Sequence, residues 1–218
     1  MSGSLAALAL LLHAVGDDAA ASRAADRLVT HSRACGGTYT RAFGLAWRAT
    51  FEVRTQNFAA ALDYAEEAIA VCERYGYTSW EILAKLMKAF AVGNLGHTDE
   101  GLALARHCID ELNRFGNAHG AGFALGELAA LQASSGDPQT ALRTVDQAIA
   151  IVRADGECFS LSPLYRRRAE IMARLAAPAD VADCLRTAIA IAEGQGAFGF
   201  VQQAAALLPL EAMAALVS

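Results

Sequence analysis

Arg166, Glu170 and Arg174 stand at four-residue intervals in the segment YRRRAEIMAR. In a helix these three side chains share one face, because residues four apart are neighbours on its surface. Two guanidiniums beside one carboxylate can hold an anionic group through paired, charge-assisted hydrogen bonds. The same spacing also describes an Arg–Glu–Arg ladder that only solvates the helix. In either case the chemistry on offer is binding and not bond making.

The other chemistry-bearing residues do not assemble into a reactive pattern. A GxGxxG string occurs at Gly194–Gly199, but it follows a helical segment. A dinucleotide fingerprint needs a preceding strand, which lays the pyrophosphate on the next helix. The chain has no GxxxxGK[ST], HExxH or GxSxG motif. His13, His31, His97, His107 and His119 are scattered, and His97 and His119 fall at expected turns. The five cysteines lie far apart without a CxxC pair. Their odd number and wide spacing point to free thiols in a reducing compartment, with Cys72, Cys108 and Cys184 as small buried hydrophobes. Adjacent carboxylates at Asp17–Asp18, Glu66–Glu67 and Asp110–Glu111 point about 100° apart on a helix and do not converge for acid–base work. Arg106 and Asp110 form at most a surface pair. We therefore expect no metal, no cofactor and no enzymatic activity, the alternative being an enzyme with dispersed catalytic residues.

Charge narrows the partners. The net charge is −5, and Lys85 and Lys88 are the only lysines. Nucleic-acid binding needs a basic stripe, so no nucleic-acid partner is expected. The run LAALALLLHAV, residues 5–15, is too short to cross a bilayer and no basic residue precedes it. The expectation is a cytoplasmic protein with no membrane partner.

The elements that position these residues follow from a repeat. Hydrophobic residues make up 55% of the 218, much of that alanine, and only four prolines occur. Alanine favours closely packed helices, and no alternating β-branched run marks a strand. Gly36, Gly76, Gly116, Gly156 and Gly196 recur every forty residues. Midway between them stand Gly16, Gln56, Gly96, Gly136 and Ala176. Glycine after a helix suits the left-handed cap, so each unit reads as two helices. Asp17, Asn57, Thr98 and Asp137, the last followed by Pro138, supply helix starts. Ala9, Ala49, Ala89, Ala129 and Ala169 form one internal column, and Val29, Ile69, Ile109, Ile149 and Ile189 form another. Such a period defines an α-solenoid, in which each hairpin buries its apolar face by stacking on its neighbours. The expected pairs are 4–15 with 18–34, 38–54 with 58–74, 78–94 with 98–114, 118–134 with 138–154, and 159–175 with 179–194. A capping helix at about 197–208 ends at Pro209. These elements make one domain over 1–218, with repeats at about 1–36, 37–76, 77–116, 117–156 and 157–196.

With this register the chain resembles the tetratricopeptide-repeat (TPR) family. The small residue in the first helix and the A-L-x-x-x-x-x-A-I pattern of the second, clearest at Ala141, Leu142, Ala148 and Ile149, carry the resemblance. Residues 70–104 and 162–175 are similar to the C-terminal repeat tails of bacterial multidomain signalling proteins, which join cyclase or DNA-binding domains to an AAA-type or MalT-like ATPase core. The period of forty exceeds the thirty-four of the standard repeat. The resemblance implies an all-α, right-handed solenoid and a non-catalytic interaction or sensor module of a bacterial signalling or transcriptional regulator. It implies a peptide or protein partner in a concave groove lined by the first helices; the alternative is a small-molecule sensor of MalT-like type. In TPR geometry the groove would hold Phe43, Arg54, Phe90, Asn94, Phe123, Arg166, Glu170 and Arg174. Trp47 and Trp80 read as packing anchors. The first helix is apolar almost all round, through Leu5, Leu8, Leu10, Leu11, Leu12 and Val15. Self-association through this N-terminal hairpin is therefore expected.

Overall fold

Alanine-rich segments, several of them bounded by glycine or an acidic cap, form most helices of the computed structural model, which describes residues 1–114, 120–156, 158–175 and 178–208. The first three pairs are α1 (Ser2–Val15) with α2 (Asp18–Ala34), α3 (Thr38–Arg54) with α4 (Phe58–Tyr75), and α5 (Thr78–Asn94) with α6 (Thr98–Arg114). Two more follow, α7 (Ala121–Ser134) with α8 (Pro138–Ala154) and α9 (Leu161–Ala173) with α10 (Pro178–Gly194), and then α11 (Phe198–Ala205). The described residues contain these eleven helices and no strand. They form two compact units, Met1–His13 with Asp17–His119 and Ala14–Gly16 with Gly120–Ser218. In the first unit α3 packs on α2, α4 and α5, and α5 on α6. In the second, α9 packs on α7, α8 and α10, and α10 on α11.

Local chemistry sets the helix ends. The Asp17 carboxylate accepts from the Ala20 N–H at 2.9 Å, and the Asp137 carboxylate from the Thr140 N–H at 3.0 Å. Each satisfies an amide that the first helical turn leaves open. Asn57 occupies the start of α4 without a side-chain cap bond. The Thr98 hydroxyl donates back to the Gly93 carbonyl at 3.3 Å instead of capping α6. Expected boundaries move inward at three helices: among the described residues α7 begins at Ala121, against 118, and α9 ends at Ala173, against 175. α9 begins at Leu161, because Cys158–Ser160 form a turn closed by the Leu161 N–H on the Cys158 carbonyl. α11 ends at Ala205, three residues early. Gly116, His119, Ala176 and Pro209 lie outside the described residues.

The alanine column is buried throughout, with Ala9, Ala49, Ala89, Ala129 and Ala169 all at 2% exposure or less. The branched column is mixed: Val29, Ile149 and Ile189 are buried, whereas Ile69 and Ile109 are half-buried. A third periodicity is ionic. Arg48 pairs with Asp26 at 2.6 Å, Lys88 with Glu66 at 2.8 Å, and Arg168 with Asp146 at 2.7 Å. Each bond spans twenty-two residues and ties the second helix of one pair to the first helix of the next.

Gln56 stands where other repeats carry glycine, and its φ is 62°, against 92° at Gly16, 108° at Gly96 and 90° at Gly136. A side chain in this left-handed region costs about 1 kcal/mol or more, part of which the extra unfolded-state freedom of glycine offsets. Gln56→Gly is therefore expected to raise stability by about 0.5 kcal/mol, read as a higher urea midpoint. A lower midpoint would mean that the glutamine makes a compensating contact.

Candidate functional site

Three consecutive arginines on α9 go three ways, because successive helical residues turn by about 100°. Arg166 bonds Glu170 one turn along the same helix. Arg167 donates to Glu170 at 3.2 Å and to Glu127 of α7 at 2.8 Å. Arg168 donates to Asp146 of α8 and lies 2.8 Å from the Cys184 sulfur of α10. Arg174, the residue that ends α9, donates to the Ala133 carbonyl of α7 at 2.9 Å.

Their electrostatics separate Arg166 from its neighbours. Burial works against the charge of Arg167, but Glu127 and Glu170 overcome it and hold its pKa above the usual arginine value. At Arg168 burial is again outweighed, here by the Asp146 and Cys184 hydrogen bonds. At Arg166 burial prevails: Glu170 offsets only part of it, the adjacent Arg167 repels, and the pKa lies below the usual value. Arg166 is thus the under-compensated cation of the three, because it shares its carboxylate with Arg167.

The other expected groove residues have diverse settings. Phe123 is half-buried on α7. In the first unit Phe43 is half-buried, with its ring edge-on to Trp80 at 5.0 Å and tilted to Trp47 at 6.2 Å. Trp47 thus packs as an anchor, although its indole N–H is buried without a hydrogen-bond partner. Arg54 is half-buried at the end of α3. Phe90 is fully buried and offers a ligand no surface. The Asn94 amide is occupied, donating to the Phe90 carbonyl at 2.8 Å. Arg166 and Glu170 meet as their spacing requires, whereas Arg174 turns to the α7 backbone.

Sequence reasoning missed a second cluster. A cavity of about 380 Å³ in the first unit is walled by His13 of α1, Asp18 and Ser22 of α2, and Arg48, Phe51 and Glu52 of α3, among others. The side chains of Arg48 and Glu52 are 9% and 4% exposed and bonded to each other at 2.6 Å. Arg48 also donates to Asp26 and lies 5.1 Å from the Tyr64 ring centre. These contacts outweigh its burial and raise its pKa. His13 Nδ1 lies 2.8 Å from the Asp18 carboxylate. The missed signal was compositional: Glu52 falls in a column otherwise filled by Leu12, Val92, Gln132 and Met172.

On α1, Leu5, Ala6 and Ala9 are buried, while Leu8, Leu11 and Val15 form an exposed apolar stripe. Among the described residues no helix is long and apolar enough to cross a membrane. None of the described His, Cys, Asp and Glu side chains gather as a metal-binding set. No protein-family model matches this sequence, and no curated protein matches it.

Proposed function

We propose that this chain is a non-catalytic binding module, a right-handed TPR-like solenoid whose first-helix face on α7 and α9 receives an acidic peptide or protein segment. Resemblance to the repeat tails of bacterial regulators supplies the biological setting, a cytoplasmic signalling or transcriptional regulator. The observation that carries the reading is the imbalance at Arg166. Its guanidinium is largely desolvated, shares Glu170 with Arg167, and would gain from a second carboxylate. A glutamate side chain brought by a partner supplies that group, and the half-buried Phe123 offers an apolar neighbour on α7.

A fluorescent glutamate-rich heptapeptide provides the test. Binding should weaken with salt and fall about tenfold in Arg166→Ala, the loss expected of one charge-assisted hydrogen bond. Arg168→Ala should leave affinity unchanged, because that guanidinium is already committed to Asp146. Equal losses in both variants would reduce the interaction to general electrostatics and remove Arg166 from the site. The small-molecule sensor is the second reading, favoured by the separate cavity between α1, α2 and α3.

A further inference from the structure

The α1–α3 cavity combines features that the repeat does not require. Arg48 belongs to the periodic ion-pair column, but Lys88 and Arg168 in that column keep side chains 32% and 27% exposed, against 9% for Arg48. Glu52 is a carboxylate, 4% exposed, in a column otherwise apolar or neutral. Burying such a group is costly unless it is paired, and here the buried pair also borders an open volume.

Charge decides what the volume can take. The wall and its ion-pair partner carry one guanidinium, Arg48, and three carboxylates, Asp18, Glu52 and Asp26. Protonation of His13 would still leave one negative charge in excess. An anion would meet an excess of carboxylates and a guanidinium that Glu52 and Asp26 already engage. A cation is favoured by the same sum. The rest of the wall suits an organic cation rather than a bare ion. Ser22, Thr55 and Asn57 add neutral oxygens, and Phe51 adds an aromatic surface for an alkyl stem.

From this juxtaposition we propose that the α1–α3 cavity binds a small organic cation, a primary ammonium or guanidinium head on a short aliphatic stem. The head lies toward Glu52 and Asp18, and the stem toward Phe51. The same chemistry belongs to a free amine and to a lysine or arginine side chain of a partner. This inference rests on the second, sensor-type reading of the cavity and is independent of Arg166.

Agmatine tests it by titration calorimetry on the full chain, with butyrate, a carboxylate on a three-carbon stem, as the probe of opposite charge. Agmatine should bind and butyrate should not. Asp18→Asn should weaken agmatine binding about tenfold, as should Glu52→Gln where the folded state is retained. Asp18 is largely exposed, so its substitution leaves the fold intact even if Glu52→Gln does not. Ser22→Trp, at an exposed position on the wall, should abolish binding by filling the cavity while keeping every charge. A capped peptide with one internal arginine distinguishes the sources: binding as tight as agmatine identifies a partner side chain, and no peptide binding identifies a free amine. The proposal is overturned if agmatine fails to bind at tens of millimolar, if butyrate binds equally, or if Ser22→Trp leaves agmatine affinity unchanged. Arg166→Ala should leave agmatine binding intact, so failure of the acidic-peptide reading and failure of this one are separately visible.

Discussion

Gly101→Ala will cost about 3 kcal/mol and lower the melting temperature by roughly 6–12 °C, a large effect for one methyl group. By the repeat register the change looks conservative, because Ala21, Ala61 and Ala141 occupy the same column. The difference lies across the hairpin. Val53 and Ala133 stand opposite Ala61 and Ala141, whereas Gly93 stands opposite Gly101. With both side chains missing, α5 and α6 approach through their backbones. A Cβ at Gly101 would meet the Gly93 Cα at 2.6 Å, the Gly93 nitrogen at 2.7 Å and the Ala89 carbonyl oxygen at 2.7 Å. No rotamer relieves a clash with main chain, so the helices must separate and lose contacts all along their length. Gly122 is the control. A Cβ there would meet only the Val152 Cγ2 at 2.3 Å, its next neighbours being at ordinary distances. Gly122→Ala should therefore be rescued by Val152→Ala, while truncating side chains around Gly101 should rescue nothing. Equilibrium urea unfolding of these variants checks both statements. A Gly101→Ala loss under 1 kcal/mol would show that α5 and α6 can part freely.

That contrast also marks what the sequence could convey. The forty-residue period located nine helix starts within two residues, because cap, glycine and alanine column recur together and reinforce one another. Where the repeat chemistry is diluted the bounds drift, as at Cys158–Ser160 before α9 and at the short α11. Within α9 the four-residue spacing found the Arg166–Glu170 contact. It missed Glu127, Asp146 and Cys184, the partners of Arg167 and Arg168 that lie on other helices. Two of those were legible in the register. The twenty-two-residue ion pairs repeat three times, and Glu127 with Arg167 sits one period apart in a column that opens with Ala7, Trp47 and Met87. The cavity was harder to see, since His13, Asp18 and Glu52 share neither column nor helix, and only stacking brings them around one volume.

Glu127→Leu will destabilise the protein by about 3 kcal/mol, and adding Arg167→Met will restore most of the loss. Both side chains are largely buried, 14% and 15% exposed. Removing Glu127 leaves Arg167 to lean on Glu170, which already serves Arg166, so one buried cation loses its compensation. Substituting both returns the column to the apolar character of Trp47 and Met87, and a well-packed apolar pair replaces a buried ion pair at little cost. A double-mutant cycle in urea measures the coupling, and near-zero coupling would mean that solvent already screens the pair. The same double variant separates stability from binding. Without Arg167 the whole Glu170 carboxylate is free to neutralise Arg166, and the attraction that an acidic peptide would have found there declines. The chain should then be nearly as stable as the parent and yet bind the glutamate-rich peptide more weakly. Arg167 touches no ligand in this scheme. It acts as a positioning residue, keeping Glu170 divided and Arg166 in need of a partner.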